Sequence, residues 1–506
     1  MTMTEVVKMR IDGLASGLDT ENIIKDLMRT EKLPLDRVFQ QKTRTEWQRD
    51  QYRTLSTKIA GFRNTVFDMQ LQARFNLMTA ASSNENVLSV RTAGGAQIGS
   101  YNILVKELAT SANMITAAGI RERFDSFTSE ITEPVSVRIR SSQKNSEGEP
   151  TEFMDIEINP GETVNSFVQK VNSNKELKIS ALYDQFTDAL VFTSVDTGRN
   201  TEIQFDLANT ETENFVTQVL QDENKIWSKN ESGTNAKIEI NGLETERASN
   251  VFNLAGVEVS LKSVSQELIR IQVSQDTDEI FNNIKDFVEQ YNELIDEIHG
   301  KLNEPYYRDF PPLTDEQKGD LSEREIELWE EKAQSGLLRS DRILSDIVYS
   351  MRRALTMSVE GVDDLRNLHQ IGITTGSWYE NGKLYINEQK LRTAIEDNLD
   401  QVTALFTKNS ESGISGETGL ARRLNASIET GLDRLADTAG KSTALYDKST
   451  LSEKIRRYDD QILAMEERLI RVENRYWAQF SMMERLLQEM YSQSDWLYQQ
   501  LGVMTT

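Results

Sequence analysis

Hydrophobic positions along this chain repeat with two periods, helical near both ends and alternating through much of the middle. Asp19 is placed as an N-cap, with Glu21 suited to the positive end of a helix. Leu18 and Ile23 are spaced for a hydrophobic staple across that cap. Ile23, Ile24, Leu27 and Met28 then form a short apolar stripe, which Pro34 is expected to interrupt. After Pro34 a second helical run follows. Its residues Tyr52, Leu55, Ile59, Phe62, Val66 and Met69 alternate spacings of three and four, a heptad seam. From Leu35 to Leu77 there is no Pro and one Gly, Gly61, enough for a rod of roughly 65 Å.

The last segment repeats the pattern more strongly. Leu451, Ile455, Tyr458, Ile462, Met465, Leu469, Val472 and Tyr476 form a seam. The pattern shifts by one residue at Phe480 and continues through Met483, Leu487, Met490, Leu497 and Leu501. Such a helix, roughly 75 Å long, needs a partner of similar length, and the N-terminal one is available. The simplest use of both stripes is to pack on each other within one chain. A coiled coil between subunits is the alternative, and different turns can serve each. Trp477, Tyr491, Trp496 and several Met crowd the final turns, and such side chains recur at partner contacts.

Between about 79 and 275 the period becomes two. Residues 87–90, 101–105, 135–139, 154–158, 189–192, 203–205, 257–261 and 269–273 read as strands. Gly161 to Val164 opens a short helix with Phe167, Val168 and Val171 on one face. Asn241-Gly242 signals a hairpin, because Asn-Gly satisfies the two positive φ angles of a type I′ turn. Ser141 to Pro150 reads as a polar tip loop. Helix returns at Asp278, with Ile280, Phe281, Ile284, Phe287, Val288, Tyr291, Leu294, Ile295 and Ile298 on one side. His299 is expected to end it before Gly300 as a capping cation. Tyr306 to Asp320 reads as a loop, helix resumes from Leu337, and Asn381-Gly382 marks a second hairpin. The fold class is therefore α+β and multidomain. Long terminal helices form a coiled-coil or helix-bundle stem around inserted antiparallel β-rich domains.

Composition narrows the function. The chain has 506 residues, 57 Lys+Arg against 81 Asp+Glu, a net charge of −24, two His, seven Pro and no Cys. The length suggests about three domains. Residues 1–78 carry a net +3 and 441–506 a net −1, so the middle holds −26. That acidity argues against nucleic acid. The absence of Cys excludes disulfides, thiolate metal sites and Cys nucleophiles. Pro is scarce, against about 25 at average usage, as long uninterrupted helices require. No span reaches the roughly 18 apolar residues needed to cross a membrane, and Met1 to Leu18 lacks the apolar core of a secretory signal. Gly94 and Gly99 have the spacing of a phosphate loop, but Ser100 stands where its Lys belongs. No G-x-S-x-G, H-E-x-x-H or EF-hand pattern occurs. No catalytic, metal or cofactor site is expected, and the chain reads as a non-enzyme.

The chain resembles the bacterial flagellar filament cap family, also called flagellar hook-associated protein 2. Ile11-Asp12-Gly13-Leu14-Ala15-Ser16-Gly17-Leu18-Asp19-Thr20-Glu21-Asn22-Ile23-Ile24 is similar to that family's opening signature. Pro34-Leu35 followed by Glu46-Trp47-Gln48-Arg49-Asp50-Gln51-Tyr52-Arg53 also resembles it. So do the block from Ala236 to Leu261, Phe287-Val288 with Tyr291-Asn292, and Gly336 to Asp341. Further matches are Ile371-Gly372-Ile373, Gly382-Lys383-Leu384 and Met490-Tyr491-Ser492-Gln493-Ser494. The resemblance covers roughly 10–110 and 230–500, and 120–230 carries no matching motif.

It implies a structural protein exported by the flagellar type III apparatus, without a Sec signal, to the filament tip outside the cell. There a ring of copies would fold and insert arriving flagellin. Implied partners are self, flagellin, the hook–filament junction protein and an export chaperone, with surface glycans for members that act as adhesins. Pattern and resemblance together divide the chain into a partly flexible leg 1–40 and a helical stem 41–78 plus 276–480. A β-rich inner domain 79–120 plus 232–275, a β-rich variable outer domain 121–231 and a second leg 481–506 complete it. The expected oligomer and filament contacts are Leu14, Leu18, Ile23, Leu27, Tyr476, Trp477, Phe480, Met483, Leu487, Met490, Trp496 and Leu497. Another flagellar axial protein, a junction protein or a flagellin, is the first alternative reading. A surface adhesin using the β domains is the second.

Overall fold

The computed structural model describes residues 19–142, 151–221, 227–377, 380–410, 415–441 and 447–503. The chain divides into two units, Met1–Phe75 with Thr277–Thr506, and Asn76–Asp276. The first unit opens with helix α1 (Thr20–Asp68), and the Asp19 carboxylate accepts the Asn22 N–H at 3.1 Å as its N-cap. The staple residue Leu18 lies outside the described residues. Pro34 does not interrupt the helix, contrary to expectation. A proline removes one backbone donor and crowds the carbonyl four residues back. Here Pro34 and Thr30 are both exposed, so water can serve the freed carbonyl, while apolar contacts at Ile24 and Met28 hold the first turns in line. The seam from Tyr52 to Met69 is buried throughout.

The second unit is antiparallel β with short helices. It begins with β1 (Met78–Ser82), β2 (Leu88–Thr92), β3 (Gly99–Glu107) and β4 (Ser111–Ile115). Next come α2 (Ile120–Glu130), β5 (Val135–Ser142), β6 (Met154–Ile158) and α3 (Val164–Ser173). Then follow β7 (Ile179–Asp184), β8 (Ala189–Thr197), β9 (Thr201–Phe205) and α4 (Thr210–Phe215), with a π turn through Leu220. It closes with β10 (Lys229–Glu231), β11 (Ala236–Ile240), β12 (Leu243–Arg247), β13 (Val251–Leu254), β14 (Val257–Leu261) and β15 (Ile269–Gln275).

Two cores result. The first lies between the sheet β1-β15-β3-β11-β12 and the sheet β13-β14-β2, and is built from residues such as Ile103, Val105, Val259 and Ile271. The second draws on β10-β4-β8-β7, β6-β5-β9 and the helices, around Phe124, Phe167, Phe192 and Phe215. The expected hairpin joins β11 to β12, with Asn241 at φ 49° and Gly242 at φ 86°. The expected helix is α3, capped by Thr163. Strands β1, β4, β7, β10 and β13 were not expected, although burial alternates along all of them but β10. Of the expected tip loop, Ser141 and Ser142 belong to β5, and 143–150 lie outside the described residues.

The chain then returns to the first unit through α5 (Thr277–Asn303), whose buried face holds every residue expected there from Ile280 to Ile298. The helix runs past Gly300, so His299 does not end it. Instead its carbonyl accepts from the Asn303 side-chain amide at 2.9 Å, and burial holds the imidazole pKa below its usual value. The segment expected to be loop contains α6 (Asp315–Gly319), and α7 (Glu323–Gln334) precedes Leu337. Both start with capping boxes, Thr314 with Gln317 and Ser322 with Glu325, which outweigh the Pro311-Pro312 break.

The unit continues with α8 (Arg342–Thr356), β16 (Ile373–Thr375), β17 (Leu384–Ile386), α9 (Glu388–Thr407), α10 (Leu420–Ala439) and α11 (Thr450–Val503). Asn381 and Gly382 do adopt positive φ, 59° and 88°, but within a connection spanning 376–383 rather than a two-residue hairpin loop. Phe62 stacks on Phe287 at 5.9 Å, Phe287 meets Phe406 edge-on at 6.1 Å, and Phe406 stacks on Phe75 at 5.5 Å. This file of rings ties α1 and the residues after it to α5 and α9. Asn292 clips β17 by accepting the Leu384 N–H and donating to its carbonyl, both at 2.8 Å.

Candidate docking face on the terminal helices

Helices α1 and α11 lie antiparallel, and polar groups set their register. Lys42 pairs with Asp459 at 2.7 Å, and the Tyr476 hydroxyl donates to Glu31 at 3.2 Å. The block Glu46 to Arg53 faces the rest of the bundle. Gln48 and Gln51 donate to the carbonyls of Leu337 (3.3 Å) and Gln334 (3.0 Å). The Tyr52 hydroxyl donates to Asp341, which also caps α8 by accepting the Leu344 N–H at 2.9 Å. Burial and that carboxylate push the Tyr52 pKa well above its usual value. Arg53 donates to the Ala439 carbonyl at the C-terminal end of α10 (2.9 Å) and to Asp447 (2.7 Å). Burial pushes the Asp447 carboxyl up. Hydrogen bonds from the Ser452 hydroxyl and Ser449 backbone, with the charge of Arg53, outweigh it and hold the group below the usual carboxylate range.

Beyond these stitches the pair is apolar. Ile24, Met28 and Val472 are buried together, with Leu469, Tyr476, Trp477 and Phe480 packed around them. The structure thus brings together three of the expected contact residues, Tyr476, Trp477 and Phe480. Ile23 and Leu27 lie beside this cluster; Ile23 is half-buried and Leu27 is 38% exposed. Their neighbours Ile24 and Met28 face inward instead. The four residues offer two adjacent pairs at i, i+4, and sequence spacing cannot say which pair meets a partner. Met483 and Leu487 are half-buried. Further along, Met490 (65%), Tyr491, Trp496 (58%) and Leu497 (52%) are exposed, as are Met482 and Leu486 before them. Leu14 and Leu18 lie outside the described residues.

Among the described residues no group of three or more His, Asp or Glu is arranged to hold a metal ion, and no helix is long and apolar enough to cross a membrane. A cleft of about 790 Å³ lies between the two cores of the β unit, lined in part by Arg140, Lys178, Asp196 and Asn250. Three of its charged groups are engaged, Arg140 with Gln204 (2.6 Å) and Lys178 with Asp196 (2.8 Å).

Comparison with known proteins places the chain among relatives. A family model described as the flagellar hook-associated protein 2 N-terminus matches residues 16–112, and one for its C-terminus matches 233–492. The flagellar hook-associated protein 2 of Halalkalibacterium halodurans is 31% identical across 96% of this chain and 98% of its own length. The A-type flagellar hook-associated protein 2 of Pseudomonas aeruginosa is 25% identical across 97% of each. Among solved structures, the D1-D2-D3 domains of the flagellar cap protein FliD from Escherichia coli share the fold. They have a TM-score of 0.52 and 21% identity, covering 81% of this chain and 99% of that one. Both matching family models describe parts of a hook-associated protein, not a catalytic domain, and nothing in the comparisons supports the adhesin reading.

Proposed function

This chain belongs to the flagellar hook-associated protein 2 family, and we propose that it caps the distal end of a flagellar filament outside the cell. Copies associate into a ring that holds arriving flagellin while it folds and inserts. The observation that carries this reading is the apolar end of α11, where Met490, Trp496 and Leu497 stay exposed beyond the buried cluster shared with α1. Exposed Met and aromatic side chains on a helix favour adaptable docking to other helices. The legs are 1–40 and 481–506, and they dock into filament subunits whose helices lack partners at the open end. The stem, 41–78 with 276–480, supports them. The β domains, 79–120 with 232–275 and 121–231, form a plate. Export runs through the flagellar type III apparatus, with an export chaperone before secretion and the hook–filament junction protein as the first seat.

Removing 481–506 tests the reading. The truncated protein is expected to be secreted and folded, while cells lose filaments and release monomeric flagellin. Normal filaments in cells carrying only the truncated form would overturn the assignment of the leg.

A further inference from the structure

The two cores of the β unit meet at a joint made almost wholly of backbone and small side chains. The chain crosses between them from Ala109 to Ser111 and returns from Glu231 to Ala236. At the crossing the Thr110 N–H donates to the Thr234 carbonyl (2.9 Å) and the Thr234 N–H to the Thr110 hydroxyl (3.0 Å). The turn after β8 closes the ring of bonds. Gly198 N–H donates to the Thr110 carbonyl, Thr201 N–H to the Gly198 carbonyl and Gly233 N–H to the Thr201 carbonyl, each at 3.0 Å. Two further bonds run from this turn to the loop after β12 and to the return crossing. The Thr197 hydroxyl donates to the Ala248 carbonyl (2.7 Å) and the Arg199 N–H to the Asn235 side chain (2.9 Å). Asn250 clips the outgoing strand by accepting the Ala109 N–H and donating to its carbonyl, both at 2.8 Å.

The glycines leave no slack. A methyl group on Gly233 would lie 2.6 Å from the carbonyl oxygens of both Gly198 and Thr110, and against the Thr201 hydroxyl. One on Gly198 would lie 2.8 Å from the Ala248 carbonyl oxygen, and its φ of +105° is open to glycine almost alone. A hinge needs a solvated linker whose dihedrals can change without breaking bonds. Here backbone groups on both crossings and on the turn that meets them are bonded at close range. We infer that the second core is locked to the first at a fixed angle by this glycine-lined joint, so that the β unit moves as one body. Its two sub-structures hold their relative angle when the protein binds a partner.

Because the chain has no Cys, a pair of introduced thiols reports one distance within each copy, and dilution with unlabelled protein removes distances between copies. Spin labels at Ser180→Cys on the second core and Ser274→Cys on the first are read by pulsed electron resonance on the purified full chain. A single narrow distance distribution is expected. Gly233→Ala should shift or broaden it while circular dichroism shows both cores folded. Should that variant not fold, Thr110→Val decides, because it removes the hydroxyl that serves Thr234 at nearly constant volume, and it too should broaden the distribution. A broad distribution in the parent, or folded variants with the parent distance, would overturn the inference. Since the measurement is made on free protein, failure of the lock is distinct from failure of capping, which is read from filament growth.

Discussion

Asp447 shows how single side chains hold the helical unit together. It joins α1, through Arg53, to the first turn of α11, through Ser452. Its folded pKa is depressed, so its contribution is present above the unfolded value of about 3.9 and is lost as pH falls below that. Chemical denaturation from pH 7 down to 3 should show a fall in stability that Asp447→Asn flattens. An identical pH slope in both proteins would rule this role out. Asn292 offers a second test. Its amide matches both backbone groups of Leu384, itself buried. Asn292→Ala leaves those groups without partners, which costs about 1–3 kcal/mol. Urea midpoints of the two proteins measure it, and no change would mean that water replaces the clip.

At the scale of elements, α1 is the departure from local rules. A proline in a helix interior costs about 3 kcal/mol, yet the helix continues through Pro34. Packing around Ile24 and Met28 offsets that cost, so relieving it should be visible. Pro34→Ala is expected to stabilise the helical unit by about 1–3 kcal/mol. Thermal unfolding followed at 222 nm checks this, and a lower midpoint would show that the proline sets a geometry the bundle needs. Helix α11 makes the complementary point. Its seam was legible as heptads with one shift at Phe480, but burial is graded, deep at Leu451, Ile455 and Val472 and nearly absent between Leu487 and Leu497. A heptad stripe states that a helix can pair; the position of its partner decides where it does.

For the whole molecule, the division after Phe75 and before Thr277 follows from where the cores lie. Both β cores are closed within Asn76–Asp276, drawing on strands from either end of that range. A fragment of residues 76–276 is therefore expected to fold alone, with a strand-rich spectrum and cooperative unfolding. A disordered spectrum would show that the helical unit is needed to close it. The negative charge also has a place. The seam helices are nearly neutral, and the −26 between residues 79 and 440 falls on the β unit and on the capped helices α6 and α7 with their neighbours.

Periodicity and turn chemistry alone determined the α+β class, the long terminal helices, the Asn241-Gly242 hairpin, the inward face of α5 and the strands with clear alternation. These are local signals, carried by side chains that repeat in step with the backbone. Strands β1, β4, β7, β10 and β13 were missed because they are only three to six residues long, too short for alternation to stand out from the surrounding sequence. The same limit applies at the candidate docking face. Ile23, Leu27, Ile24 and Met28 are equivalent by spacing, and only the antiparallel partner α11 selects the second pair for burial. Tertiary structure likewise decided that Pro34 stays within a helix and that Gly233 and Gly198 are joint residues. Those outcomes depend on atoms far away in sequence, whose positions no local pattern encodes.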